Sequence, residues 1–177
     1  DELIESISPY HNYTAVIANG LCMAGIALLD EDERAQGWID KAIARATLNF
    51  DAQGEDGGAL EGPMYGTYAA DNFADMLWAL SSAGVPNDLF EHPYIKSLPR
   101  YCISLLCPND WRQMTFGDGG PTQGFARLTL ALALRGDTDA AWYLEKIGQF
   151  GFESPRYFIA LDPERIKSIE PTWNPSD

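Results

Sequence analysis

Polar and apolar positions along this chain alternate between two registers. Residues 15–29 place Val16, Ile17, Leu21, Cys22, Met23, Ile26, Leu28 and Leu29 on every side, the pattern of a helix buried all round. Asp30-Glu31-Asp32 ends it. The next segment sets Ala35, Trp38, Ile39, Ala42, Ile43 and Ala46 at i, i+3, i+4, i+7 spacing, with Glu33, Arg34, Asp40, Lys41 and Arg45 opposite. That spacing predicts a one-sided surface helix. The pair then recurs. Residues 66–83 are mostly apolar, and residues 94–106 turn Ile95, Tyr101, Cys102, Leu105 and Leu106 inward while Lys96, Ser97 and Arg100 face out. Pro99 is expected to kink or delay that second surface helix. Residues 125–134 are nearly all apolar again, preceded by Pro121, which suits a first helical turn. Gly136 stops that helix, Asp137 or Thr138 caps the next, and residues 139–150 read as a mixed surface helix. A further short helix is expected after Ser154-Pro155.

No run alternates with period two long enough to predict a strand, so the fold class is all-α. The chain reads as one helical domain over residues 1–177, made of three antiparallel helical hairpins, with an irregular tail over 165–177. The inner helices begin near residues 12, 66 and 121, every 54 to 55 residues. A long period with inner and outer members is the mark of repeated helix pairs. It predicts an incomplete α/α toroid whose inner helices run parallel and bring their N-termini to one mouth. A plain helical bundle without a cleft is the simpler alternative.

Three polar loops precede the inner helices: His11-Asn12, the glycine-rich 56–68 stretch with Glu61, Tyr65 and Tyr68, and Phe116-Gly-Asp-Gly-Gly120 with Asp118. Loops of this kind carry function more often than the elements they join. Helix N-termini gathered at a mouth favour an anionic group.

Bulk properties narrow the partners. The net charge is −14 and the pI about 4.3, which argues against nucleic acid, since phosphate binding needs clustered Lys and Arg. The most apolar run is interrupted by Asn19 and two glycines and is too short for a membrane span. Cys22, Cys102 and Cys107 have no metal-site spacing, and nothing in the chain points to a metal or other cofactor. The start, Asp1-Glu2-Leu3, shows no signal peptide, and the whole reads as a piece cut from a longer protein.

The segments His11-Asn12, Asp56-Gly-Gly-Ala-Leu-Glu-Gly-Pro-Met-Tyr65 and Phe116-Gly-Asp-Gly-Gly-Pro121 resemble the heparinase II/III-like polysaccharide lyases, in their α/α-toroid domain. The likeness runs from about residue 10 to about residue 160. It implies a helical toroid followed by β-sandwich layers that lie outside this chain, a secreted or periplasmic location, and an acidic polysaccharide or oligosaccharide as partner. The implied reaction is β-elimination on a uronic-acid polymer. Tyr65 then takes the place of the acid or base, with His11 as its catalytic companion and Asn12 beside the substrate carboxylate. The family also supplies a later histidine. His92, the only other one here, opens a surface helix on the wrong face, so the catalytic set is incomplete and these residues alone are expected to be inactive.

The same residues have plainer readings. His11 or Asn12 can cap a helix, Tyr65 can pack on its loop, Glu61 can brace the loop by accepting backbone N–H bonds, and Asp118 can cap the following helix. Tyr68, Trp111 and Arg112 are candidate substrate contacts: aromatic faces stack on sugar rings and a guanidinium pairs with a carboxylate. Trp111 can equally anchor its loop as a buried indole. Asp71 and Asp75 stand i, i+4 on an inner helix. Paired carboxylates are what a glycosidase needs, so a toroid glycoside hydrolase is the second reading. A non-catalytic carbohydrate-binding or scaffold domain is the third.

Overall fold

The computed structural model describes residues 5–120 and 125–147. It is all-helical, with α1 (Asn12–Ala27), α2 (Ala35–Ala52), α3 (Gly62–Ser82), a 3-10 turn at Leu89–Glu91, α4 (Pro93–Ser104), α5 (Ala126–Leu134) and α6 (Thr138–Lys146). The described residues form no strand, and one isolated antiparallel bridge joins Leu106 to Gln113. The expected first turn at Pro121, the helix after Pro155 and the tail over 165–177 lie outside the described residues.

The helices form two rows. In the inner row α1 packs on α3 and α3 on α5, and in the outer row α2 meets α4 and α4 meets α6. Contacts along the inner row pair starts with starts. Gly66 near the beginning of α3 faces Phe125 just ahead of α5, and Asn19 of α1 donates to Asn72 of α3, 53 positions on. The inner helices are therefore parallel. Each hairpin reverses direction: Gly25 late in α1 lies against Ala35 and Ile39 early in α2. Turns over residues 53–61 and 105–120 consequently fall at the leading end of the inner row. Those over 28–34, 83–92 and 135–137 fall at the other end.

The core fills the space between the rows. Phe50 of α2 meets Phe73 of α3 edge-on, ring centroids 4.8 Å apart, and stacks on Tyr94 of α4 at 5.6 Å. Edge-on and offset ring pairs of this kind are the favoured geometries. Tyr143 of α6 is fully buried. Its hydroxyl accepts from the Phe125 N–H at 3.2 Å and donates to Gln113 Oε1 at 3.0 Å, and burial pushes its phenol pKa well up.

Several expectations are corrected. α1 is not buried on all sides, because it ends the described inner row and packs mainly on α2 and α3; Gly20, Met23, Ala24 and Ala27 are exposed. α3 starts four residues before Gly66, because Pro63 sits in its first turn with nothing to donate. α4 begins at Pro93 and holds Pro99 in its interior, so Pro99 does not delay it. α6 is a buried helix, with Ala140 to Leu144 all enclosed, since the 105–120 loop covers it. As expected, Asp137 caps α6, its Oδ1 accepting from the Ala140 N–H at 2.8 Å.

Candidate functional site

Glu61 occupies the N-cap position of α3 but makes no side-chain bond to its own helix. It reaches across to α1, where one carboxylate oxygen accepts the Asn12 backbone N–H at 2.6 Å. Asn12 Nδ2 donates to the two carboxylate oxygens at 3.1 and 3.2 Å. A carboxylate at a helix N-terminus meets unpaired N–H groups and the positive end of the dipole, and bonds to an ionised acceptor are about twice as strong as neutral ones. This cluster ties the beginnings of α1 and α3 together. It matches the bracing role open to Glu61, and it engages the Asn12 amide within the protein.

His11 is the N-cap of α1. Its Nδ1 accepts from the Tyr13 N–H at 3.2 Å, and its Nε2 lies 3.8 Å from Glu61 Oε1. That arrangement fits the tautomer carrying its proton on Nε2, facing the carboxylate. The segment ahead of α1 is held from the outer row. Arg45 and Asn49 of α2 and Gln53 at its C-cap, at i, i+4 and i+8, donate to the carbonyls of Ile7, Pro9 and Tyr10 at 2.6, 2.5 and 3.3 Å. Gln53 Oε1 also accepts the Leu60 N–H at 2.9 Å, so one side chain fixes both loops that flank the Glu61 cluster.

The third loop closes over the same place. At Gly62 the backbone has φ +80°, and a Cβ there would stand 2.9 Å from the Phe116 carbonyl oxygen. Only glycine accepts that conformation and that approach together. A Cβ on Gly119 would strike Met64, so the 116–119 loop lies on the start of α3. Asp118 is exposed within it. The helix start that Asp118 was expected to cap lies outside the described residues. Tyr65 sits one turn after Glu61, half-buried, and its hydroxyl has no hydrogen-bond partner among the described residues. The rim is apolar and aromatic: Tyr10, Tyr13, Leu60, Met64, Tyr68 and Phe116 are all exposed.

Trp111 and Arg112 do not join this group through any described contact. Trp111, at the left-handed φ of 56°, packs edge-on against Trp142 of α6 with centroids 5.6 Å apart, and Lys146 Nζ lies 5.5 Å from its ring. The loop-anchor reading describes its contacts. Arg112 folds back on Asp110 at 2.5 Å. Its positive charge holds the Asp110 carboxyl below the usual carboxylate range, through the side-chain hydrogen bond first. His92 caps α4 through the Tyr94 N–H at 3.3 Å and meets Asp51 of α2 at 3.0 Å, on the outer row as expected.

A second cluster lies along the α3–α5 seam. Arg127 Nε is 3.6 Å from Asp71 Oδ2, and Arg127 Nη1 is 3.4 Å from Asp75 Oδ2. Asp71 Oδ1 is shut off from water without a hydrogen-bond partner. Burial pushes the Asp71 pKa up to about 6 against the pull of Arg127, and Asp75 adds to the rise. Arg127 escaped the sequence reading, though it is the one charge in an otherwise apolar inner helix. A lone cation on such a helix needs an acid on its neighbour. Among the described residues no three His, Cys, Asp or Glu side chains gather as a metal site, and no helix is long and apolar enough to cross a membrane. Comparison with protein families, curated proteins and solved structures finds no match to this chain.

Proposed function

We propose that this chain is part of an α/α-toroid domain of a heparinase II/III-like polysaccharide lyase and takes part in β-elimination on a uronic-acid polysaccharide. The observation that carries the reading is the junction of loops at the leading end of the inner row, where Glu61 binds Asn12, His11 stands beside it, and Tyr65 follows within one turn. Elimination next to a carboxylate needs a group that takes the proton and donors that meet the growing negative charge. In this reading Tyr65, its hydroxyl uncommitted, handles the proton, and His11 with its Nε2 proton faces the charge. Because Glu61 engages Asn12, substrate contact through that amide requires the carboxylate to give way. Tyr10, Tyr13, Tyr68 and Phe116 offer ring faces to sugar units along the rim.

The test is a spectroscopic one on the natural full-length protein with uronic-acid polysaccharides. Elimination leaves an unsaturated uronide that absorbs in the ultraviolet. Tyr65→Phe is expected to lower that signal by at least about 100-fold, the usual worth of a general acid or base. Retained activity in the variant removes Tyr65 from the role.

The Asp71–Arg127–Asp75 seam favours one alternative. Two neighbouring carboxylates, one raised toward neutrality, are the raw material of a glycoside hydrolase. Reducing ends without an ultraviolet chromophore, abolished in Asp71→Asn, identify that chemistry. Binding of the polysaccharide with neither product identifies a carbohydrate-binding or scaffold role.

A further inference from the structure

α1 is the free end of the described inner row, and its free face lacks the character of an end. Tyr13, Gly20, Met23, Ala24 and Ala27 are exposed there, with Ile17 half-buried among them, and no residue of α1 carries a charge. An end member of a row of helix pairs that meets water keeps a polar outer face. Gly20 stands in the middle of this face. A Cβ on Gly25, further along α1, would come within 2.7 Å of Ile39, so packing inside the chain demands that glycine. A Cβ on Gly20 meets nothing within 4 Å. Glycine inside a helix is destabilising relative to alanine, and its use is the close approach of another group to the backbone. Within the chain nothing makes that approach to Gly20. The far end of α1 adds an independent observation. No base stands in its last turn, and Asp30 and Glu31 follow it, exposed and without an ion pair among the described residues. Acids in that place meet the negative end of the helix dipole.

We propose that two copies of this chain pair through α1, antiparallel about a twofold axis at Gly20. That register sets Tyr13 of one copy opposite Ala27 of the other and Val16 opposite Ala24, large against small on either side of the glycine crossing. It brings Asp30 and Glu31 of each copy to the positive N-terminal end of the other α1, beside the exposed Tyr10. A parallel pair sets acids against acids instead, so the charges select the antiparallel arrangement. No charge on α1 loses its water in the process. Tyr10 and Tyr13 are 47% and 59% exposed and offer roughly 200 Å² between them. With Val16, Ile17, Met23 and the small residues, one copy supplies about 500 Å², half of the roughly 1,000 Å² that a specific interface needs. A twofold pair is the commonest closed assembly, and an area of this size belongs to a weak one. In it Tyr10 and Tyr13 are covered, while Tyr68 and Phe116 keep the ring faces of the mouth. The pairing does not rest on the lyase reading, since Glu61 and Tyr65 take no part in it.

Sedimentation equilibrium on the whole chain tests the pairing. The apparent mass is expected to rise from 19.5 kDa towards twice that value, with a dissociation constant on the order of 10 μM. Gly20→Leu separates this role from one inside the single chain. Leucine is a far better helix former than glycine and meets open space in the single chain, so Tm rises when measured well below the dissociation constant. In the pair the same side chain stands in the crossing and weakens association by at least about tenfold. Asp30→Lys together with Glu31→Lys sets cations against the positive end of the other helix and weakens it about tenfold as well. Cysteine pairing reads the orientation, in a Cys107→Ser background because Cys22 and Cys102 are buried. Oxidising a mixture of Tyr13→Cys and Ala27→Cys chains gives the mixed disulfide, and Tyr13→Cys alone gives no covalent dimer. A chain that stays monomeric well above about 10 μM overturns the proposal and leaves the face to a helix of another protein. A dimer that Gly20→Leu does not weaken, or a covalent dimer from Tyr13→Cys alone, overturns it too.

Discussion

Replacing Glu61 by alanine tests the junction on which the mouth depends. The carboxylate accepts the Asn12 backbone N–H at 2.6 Å and the Asn12 amide at 3.1 Å, and its side chain is 22% exposed. Each hydrogen bond to a charged group contributes about 1.5–3 kcal/mol when its partner is buried. Asn12 is 3% exposed, so both of its donors lose a partner in a place that water reaches poorly. At the lower figure for each bond, Glu61→Ala is expected to destabilise the protein by about 3 kcal/mol. For a chain of this size each kcal/mol lowers Tm by about 2–4 °C, so the fall is about 6–12 °C. Glu61→Gln keeps an acceptor oxygen and loses only the charge, and a cost of about 1 kcal/mol is expected. Urea denaturation measures both, and amide hydrogen exchange locates the effect: Asn12 and Tyr13 lose protection first in Glu61→Ala. A loss below about 0.5 kcal/mol, the range of an ordinary surface change, refutes the idea that Glu61 joins α1 to α3.

Two further substitutions probe the same architecture. Gly62→Ala forces a side chain into φ +80° and against the Phe116 carbonyl oxygen; a loss of about 2 kcal/mol is expected by chemical denaturation, and unchanged stability means the 116–119 loop is not seated on α3. Asp71 has a folded pKa of about 6 against an ordinary 3.8, so the native state holds its proton over a range where the unfolded chain has released it. Its contribution therefore makes stability fall as pH rises from about 4 to about 6 and level off above. The full shift corresponds to at most about 3 kcal/mol, reduced because the side chain is 30% exposed. Asp71→Asn is expected to remove that slope and raise relative stability at pH 7, and denaturation at pH 4.5 and pH 7 that shows equal slopes in both proteins refutes it.

The helices themselves were legible because a period of 3.6 residues leaves a direct trace in the order of apolar side chains. The recurrence of inner and outer members predicted parallel inner helices, and they are parallel, although their starts at Asn12, Gly62 and Ala126 are not evenly spaced as the starts expected near 12, 66 and 121 were. What periodicity does not carry is a residue's place in the row. α1 and α3 have similar apolar character, yet α1 ends the described row and α3 lies inside it, so only α3 has neighbours on both flanks. α6 reads as a surface helix because its charges are visible in sequence, whereas the loop that covers Tyr143 comes from 30 positions upstream. The candidate site divides in the same way. That Glu61 would accept N–H bonds followed from a carboxylate in a glycine-rich loop, but its partner lies 49 residues away. Arg45, Asn49 and Gln53 stand in plain i, i+4, i+8 spacing, and of the three only Arg45 entered the sequence reading, as part of the solvent-facing side. Their carbonyl partners belong to a segment with no periodic pattern of its own.

The division of turns between the two ends of the helices sets which parts of this protein can change. Every hairpin return, at residues 28–34, 83–92 and 135–137, lies away from the Glu61 cluster. The main contacts of each helix are with its neighbours in the two rows, so a longer or shorter return is absorbed locally. The spacing of Asn12, Glu61 and Tyr65 is thereby insulated from insertions at the far side, and new specificity there can be acquired without retuning the mouth.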